Sequence, residues 1–280
     1  MRSTKRTKIF SKTVIYLLVI LLMLFVLFPF FWMASVALKS PNEQFRVPPT
    51  LFPTSPTLVN FFSALRYPFF LNYFFNSIIV ASLTTLVVIS VTILSAYSFS
   101  RIKFYFRKFF LVLIIISQLF PLAAIIVPIY IIISKIGLID TYFSLIIAYL
   151  SFTVPISVWL LRGFIAGIPQ ELEEAAMVDG CSRLQAFLRI VLPLSKPGIA
   201  ATAAYVFYVT WQEFMFALTF ITTESKRTLP VGILDFIGQY ETNWGNLMAA
   251  SIFVCLPVFI LFMILQKQLV AGLTKGSLKA

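Results

Sequence analysis

Six long apolar stretches dominate this chain: Val14–Ser35, Phe74–Ala96, Phe109–Ile133, Tyr142–Leu161, Ile199–Ile221 and Leu247–Leu265. About 20 apolar residues in a helix cross the hydrocarbon of a bilayer. In lipid an isolated segment satisfies its own backbone only as a helix, so each stretch predicts a transmembrane helix. Four of them carry proline, at Pro29, Pro121, Pro128, Pro155 and Pro257. In a membrane helix proline more often marks a kink held by neighbouring helices than a break. The fold class is therefore an all-α membrane protein of six transmembrane helices. Composition agrees: 60% of the 280 residues are hydrophobic and 11% are charged, against about 25% charged in soluble domains. An ordinary soluble domain and a disordered chain are both excluded.

The first stretch follows Arg2, Lys5, Arg6, Lys8 and Lys12, which is also how a secretory signal begins. Its apolar run is longer than the about 7–15 residues of a signal core, so it reads as an uncleaved first span. The segments between spans then alternate in charge. Segments 1–13, 97–108, 162–198 and 266–280 hold 16 of the 22 basic residues. Segments 36–73, 134–141 and 222–246 hold the other six. Basic residues are retained in the cytoplasm, which predicts a multi-pass cell-membrane protein with both termini cytoplasmic. The net charge of +12 is thereby an orientation signal, and no nucleic-acid partner is expected. Histidine is absent, which removes the commonest acid–base group and imidazole metal ligands. Cys181 and Cys255 have no neighbour at metal-ligand spacing, so no metal site is expected.

One cytoplasmic segment, 162–198, also holds four acids: Glu171, Glu173, Glu174 and Asp179. Positive-inside sorting does not account for them. Pro169 suits a first helical turn, acids follow where a helix N-terminus favours them, and Gly180 stands past the end. This predicts a short helix over Pro169–Asp179, with acids on one side and Leu172, Ala175 and Ala176 as an apolar ridge on the other. Ser182 and Gln185 form a capping box for a second helix. Its apolar positions are Leu184, Phe187, Leu188 and Val191, and it is expected to end at Pro193 and Pro197. The local physics fits two readings, a docking knob for a soluble partner or a helix pair lying on the membrane surface.

These residues resemble a family. Glu174-Ala175-Ala176, three residues, Gly180, nine residues, Ile190, one residue and Leu192-Pro193 match the EAA loop of ABC-importer permeases at every defined position. The six-span layout resembles the smaller membrane subunit of maltose-type carbohydrate importers. Trp211-Gln212-Glu213-Phe214 with Ala217-Leu218-Thr219 is similar to carbohydrate permeases, although Gln212 stands where that family often has Asn. Asn243-Trp244-Gly245 with Met248-Ala249-Ala250, and Gly272-Leu273-Thr274-Lys275-Gly276, are similar too.

The resemblance implies a type I importer permease core, residues 74–265 (spans two to six), preceded by the 14–35 span and the 36–73 external loop. It implies that Glu171, Glu174, Ala175, Ala176, Asp179 and Gly180 dock a dimeric cytoplasmic ATPase, which binds the ATP. This chain has no G-x-x-x-x-G-K-[ST] phosphate loop of its own, so it is expected to be neither an enzyme nor a holder of any cofactor. Further implied partners are a second permease subunit and an extracytoplasmic sugar-binding protein, within membrane lipid. The implied cargo is a disaccharide or oligosaccharide of maltose or trehalose type. In such systems the loop over Thr222–Asn246 reaches into the binding protein, and the 266–280 tail touches the ATPase. An importer for a non-sugar solute, or a stand-alone secondary transporter, remains the alternative. A secondary transporter would need paired intramembrane charges or inverted repeats, and the spans show one acid and no obvious repeat.

That acid is Glu213, expected inside the fifth span. Ionisable groups there face a cavity or a partner. One reading has Trp211, Gln212 and Glu213 lining the solute path, with the indole face against a sugar ring and polar groups on its hydroxyls. The other has Glu213 locking span five to a neighbouring helix.

Overall fold

The computed structural model describes residues 5–238 and 242–277, with side chains described over 12–238 and 242–267. Arg2, Lys279 and the external acid Glu241 lie outside the described residues, as do the side chains of Lys5, Arg6, Lys8 and of the Gly272–Gly276 motif. Every regular element among the described residues is helical. Among the described residues, four helices are long and apolar enough to cross a bilayer: Lys12–Ala37, Phe70–Arg101, Tyr142–Ala166 and Trp244–Lys267. Two bent helix pairs bring the number to six if each is one crossing. The chain divides into two units, Met1–Pro68 with Asp235–Phe253, and Phe69–Leu234 with Val254–Ala280.

In the first unit, α1 (Lys5–Ala37) is apolar on every face from Val14 to Phe28, and these side chains are all exposed. A helix hydrophobic all round has lipid or a protein core as its surroundings. The proline-rich stretch after it is folded. It holds α2 (Pro41–Gln44) and is organised by two buried charges, Lys39 and Glu43. Lys39 donates to the Thr50 carbonyl and lies 4.8 Å from the Trp32 ring centroid. Glu43 Oε1 accepts from Thr50 Oγ1 at 3.0 Å and from the Thr54 amide at 2.8 Å. The Thr54 amide bond, set against desolvation, holds the Glu43 carboxyl below its ordinary range. From α3 (Val59–Arg66), Asn60 donates to the carbonyls of Ala37 and Lys39. The motif at 243–245 packs here: Asn243 caps the Asn246 amide at 3.0 Å, and a Cβ on Gly245 would lie 2.1 Å from Gln44 Nε2.

The second unit runs through α4 (Phe70–Arg101), α5 (Arg107–Ile116), α6 (Leu122–Lys135), α7 (Tyr142–Ala166) and α8 (Glu171–Val178). It continues through α9 (Arg183–Ala186), α10 (Leu192–Leu194), α11 (Lys196–Trp211), α12 (Met215–Phe220) and α13 (Leu229–Gly232), then the later part of α14 (Trp244–Ser277). Helices α4, α7 and α11 pack on one another at its centre. The buried stripe of α4 is Ser77, Ala81, Thr84, Val88, Thr92 and Ala96, at helical spacing. Small side chains there let membrane helices approach closely. Gly198 of α11 does the same against α7, since a Cβ would sit 2.5 Å from Phe164 Cγ.

Two expectations are corrected. The third stretch does not kink at Pro121; it breaks, and its halves Arg107–Leu119 and Leu122–Lys135 meet at 103°. Proline cannot donate and forces the residue before it into extended backbone; Phe120 has ψ 127°. The fifth stretch is not one helix either. It ends at Trp211, leaves Gln212–Phe214 unwound, and restarts as α12. The second loop helix ends as expected between its prolines, at Leu194. A π-helical turn over Phe187–Val191 carries it into α10, and the 69° bend follows, before α11. Pro197 sits in the first turn of α11, where no donor is needed.

Candidate functional site

Polar chemistry gathers at both ends of α7 and beside its middle. At 25 residues, α7 is about 37 Å long.

Beyond its C-terminal end lies the α8–α9 loop. Gly180 has φ +92°; its amide bonds the Met177 carbonyl, and the Cys181 amide bonds that of Ala176. This is the paired closure of a glycine-ended helix. The expected capping box forms: Ser182 Oγ accepts from the Gln185 amide, and Gln185 Oε1 accepts from the Ser182 amide at 2.8 Å. Leu172 and Ala175 are exposed, Ala176 is half-buried, and Val178 is 86% exposed. Glu171, Glu174 and Asp179 are exposed beside them. The loop thus presents small and apolar side chains interleaved with acids. The acids are not all on one side, however. Glu173 points inward, is 4% exposed, and pairs with Arg101 of α4.

The second polar place is the break after α11. Glu213 Oε1 accepts from the Phe216 amide at 2.9 Å, and Oε2 accepts from the Ala217 amide at 3.2 Å and the Tyr149 hydroxyl at 2.8 Å. The carboxylate thereby caps α12 and fastens it to α7. Trp211 is 2% exposed; its Nε1 donates to the Val254 carbonyl, and it stacks on Phe207 at 5.8 Å. Gln212, between them, is exposed.

Before the N-terminal end of α7 sits Asp140, with φ +63°. Its carboxylate accepts from the amides of Thr222 and Thr223, from Thr223 Oγ1 at 2.6 Å and from Lys226 Nζ at 2.8 Å. Partial burial pushes the Asp140 carboxyl up, but these donors, Lys226 first, outweigh it and hold the group well below the usual carboxylate range. Asn76 continues the clamp by donating to the carbonyls of Ser225 and Arg227, and Ser77 accepts from the Leu229 amide.

The chain matches the family model described as "binding-protein-dependent transport system inner membrane component" over residues 88–275. It belongs to that family. It is 38% identical to the trehalose/maltose transport system permease protein MalG of Thermococcus litoralis, over 98% of this chain and 99% of the relative. It is 34% identical to the diacetylchitobiose uptake system permease protein DasC of Streptomyces coelicolor, over 93% of this chain and 94% of the relative. Among solved structures, a chain of a bacterial ABC transporter that imports alginate superposes with TM-score 0.81 at 20% identity, covering 95% of this chain and 99% of that one. This binding-protein-dependent permease is a multi-pass membrane protein, and in its family the ATPase is a separate subunit.

The structure brings Glu171, Glu174, Ala175, Ala176, Asp179 and Gly180 together on one small loop. It brings Trp211 and Glu213 together as anchors of a break, with Gln212 between them. Sequence reasoning missed Glu173, Arg101, Tyr97 and Tyr149 as partners. Glu173 was visible only as one acid of a cluster, and Arg101 as one of several basic loop residues. No spacing rule joins positions 72 residues apart.

Proposed function

We propose that this chain is one of two different permease subunits in an ATP-driven importer of disaccharides or oligosaccharides, of maltose or trehalose type, delivered by a binding protein. The observation that carries the reading is the exposed α8 knob. A glycine-closed turn presents Ala175, Ala176 and Val178 among Glu171, Glu174 and Asp179. Small side chains at this tip permit close approach by a partner, and the acids favour a cleft with basic residues. The partner in this reading is a dimeric cytoplasmic ATPase, and its closure moves α8. The sugar assignment is supported by the full-length likeness to trehalose/maltose and diacetylchitobiose permeases.

Both termini and the α8–α9 loop face the cytoplasm in this reading, supported by the basic excess of their segments. The segment from Thr222, clamped by Asp140 and Asn76, then faces outward toward the binding protein. Gln212 meets solute, because it is exposed beside unwound backbone, whereas Glu213 and Trp211 take the structural role. The test is reconstitution with a cytoplasmic ATPase, a second permease and a sugar-binding protein from the same organism, scoring ATP-dependent uptake of trehalose and maltose. Uptake that needs the binding protein and weakens in Gln212→Ala supports the proposal. Uptake of peptides or polyamines instead removes the sugar assignment, and uptake by the purified chain alone removes the importer assignment.

A further inference from the structure

A buried ion pair fastens α8 to the end of α4. Arg101, the last residue of α4, donates Nε to Glu173 Oε1 and Nη2 to the Ile168 carbonyl at 2.8 Å. Its side chain is 9% exposed and that of Glu173 is 6% exposed. Tyr97, one turn earlier on α4, donates to Glu173 Oε2 at 3.1 Å, and its ring packs 4.6 Å from that of Phe187 in the turn after α9. Ser100 adds a bond to the Arg162 carbonyl on α7, and Arg162 Nε returns one to the Phe99 carbonyl. Three elements therefore meet at one point: the end of α4, the end of α7 and the first turn of α8. Nearby, Ala96, Leu161, Ile165, Phe187 and Val191 close an apolar cluster over the same junction.

The charges at this junction have no cheap way to part. Removing one partner of a buried pair leaves an uncompensated charge away from water. Glu171, Glu174 and Asp179 are exposed and do not share this constraint. We infer that Glu173 and Arg101 are positioning residues that make α8 and the ends of α4 and α7 move as one body, so that displacement of α8 is handed to α4 as well as to its covalent neighbour α7. This inference rests on the importer reading above, in which an ATPase displaces α8.

The test uses the assembled importer in lipid nanodiscs, with Cys181 and Cys255 replaced by serine. Spin labels go at Tyr105→Cys, just past α4, and Leu184→Cys, beside α8; both native side chains are well exposed, at 93% and 64%. The expected wild-type distance is the same before and after ATP with vanadate. In Glu173→Gln it is expected to match wild type without nucleotide and to shift with it by more than the wild-type width. The swap Arg101→Glu/Glu173→Arg should restore the fixed distance, and it also decides the matter if Glu173→Gln fails to assemble. A Glu173→Gln distance that stays fixed with nucleotide overturns the inference. So does one equally broad in both states, which a merely structural pair would give, and so does a swap that restores nothing. A wild-type chain that captures no ATPase overturns the importer reading itself, a distinct result scored before any label is read.

Discussion

Glu213, in the unwound segment before α12, and Tyr149 of α7 meet at 2.8 Å, and the same carboxylate closes the first turn of α12. An acid in an apolar stretch is thereby consumed by donors from its own chain. A carboxyl group that accepts from two amides and a phenol has little left for a passing solute.

Glu213→Ala should accordingly act on stability before solute choice. Loss of its three bonds should cost about 4–5 kcal/mol, at about 1.5 kcal/mol for each bond to a charged group. Tyr149→Phe, which removes one, should cost about 1.5 kcal/mol. Thermal unfolding of the purified complex reads both, and the apparent KM for solute should stay within twofold in Tyr149→Phe. A large KM change there with unchanged stability would place Glu213 in the path.

Asp140 should make the clamp acid-sensitive. Its folded-state pKa is lowered, so its contribution is fully present above the unfolded value of about 3.9 and is lost as pH falls through the folded value. With Lys226 nearly half exposed, its ion pair with Asp140 is worth about 1 kcal/mol or less. Asp140→Asn should lower thermal stability at neutral pH and flatten the fall of stability toward acid. An unchanged acid limb in Asp140→Asn would show that another carboxylate governs it.

Gly180→Ala should strain the α8 turn, because φ +92° disfavours any Cβ even though nothing crowds the site. The cost is about 1–2 kcal/mol, localised to the loop. Gly180→Pro should abolish transport, since it also removes the amide bonded to Met177. Ala176→Trp should do the same by adding bulk at the knob. Membrane insertion should be intact in all three, and co-purification of the ATPase is the measurement that separates docking from insertion.

Gly198→Ala tests the central packing. The added carbon meets the Phe164 ring at 2.5 Å, so α11 and α7 must separate, at a typical overpacking cost of about 1–3 kcal/mol. Reduced melting temperature, partly recovered by Phe164→Leu, is the expected outcome.

Much of the architecture was legible in one dimension because lipid imposes one-dimensional rules. Apolar length gave the crossings, and the α8 boundaries followed from Pro169, the acids and Gly180, all local devices. The Ser182–Gln185 box is likewise local. The breaks were less legible. Pro121 looked like any other membrane proline, and what separates it from Pro29 or Pro155, which stay inside helices, is its surroundings. The break at Gln212–Phe214 has neither proline nor glycine to mark it.

By itself the sequence determined an all-helical membrane chain, its charge asymmetry and a loop with a glycine-closed tip, because hydropathy, charge and turn chemistry act over a few residues. Only the tertiary structure decided which charges are paired. Glu173 reaches Arg101 across 72 positions and Glu213 reaches Tyr149 across 64. Their burial is what makes an ionised group need a partner, and burial is a property of the packed helices.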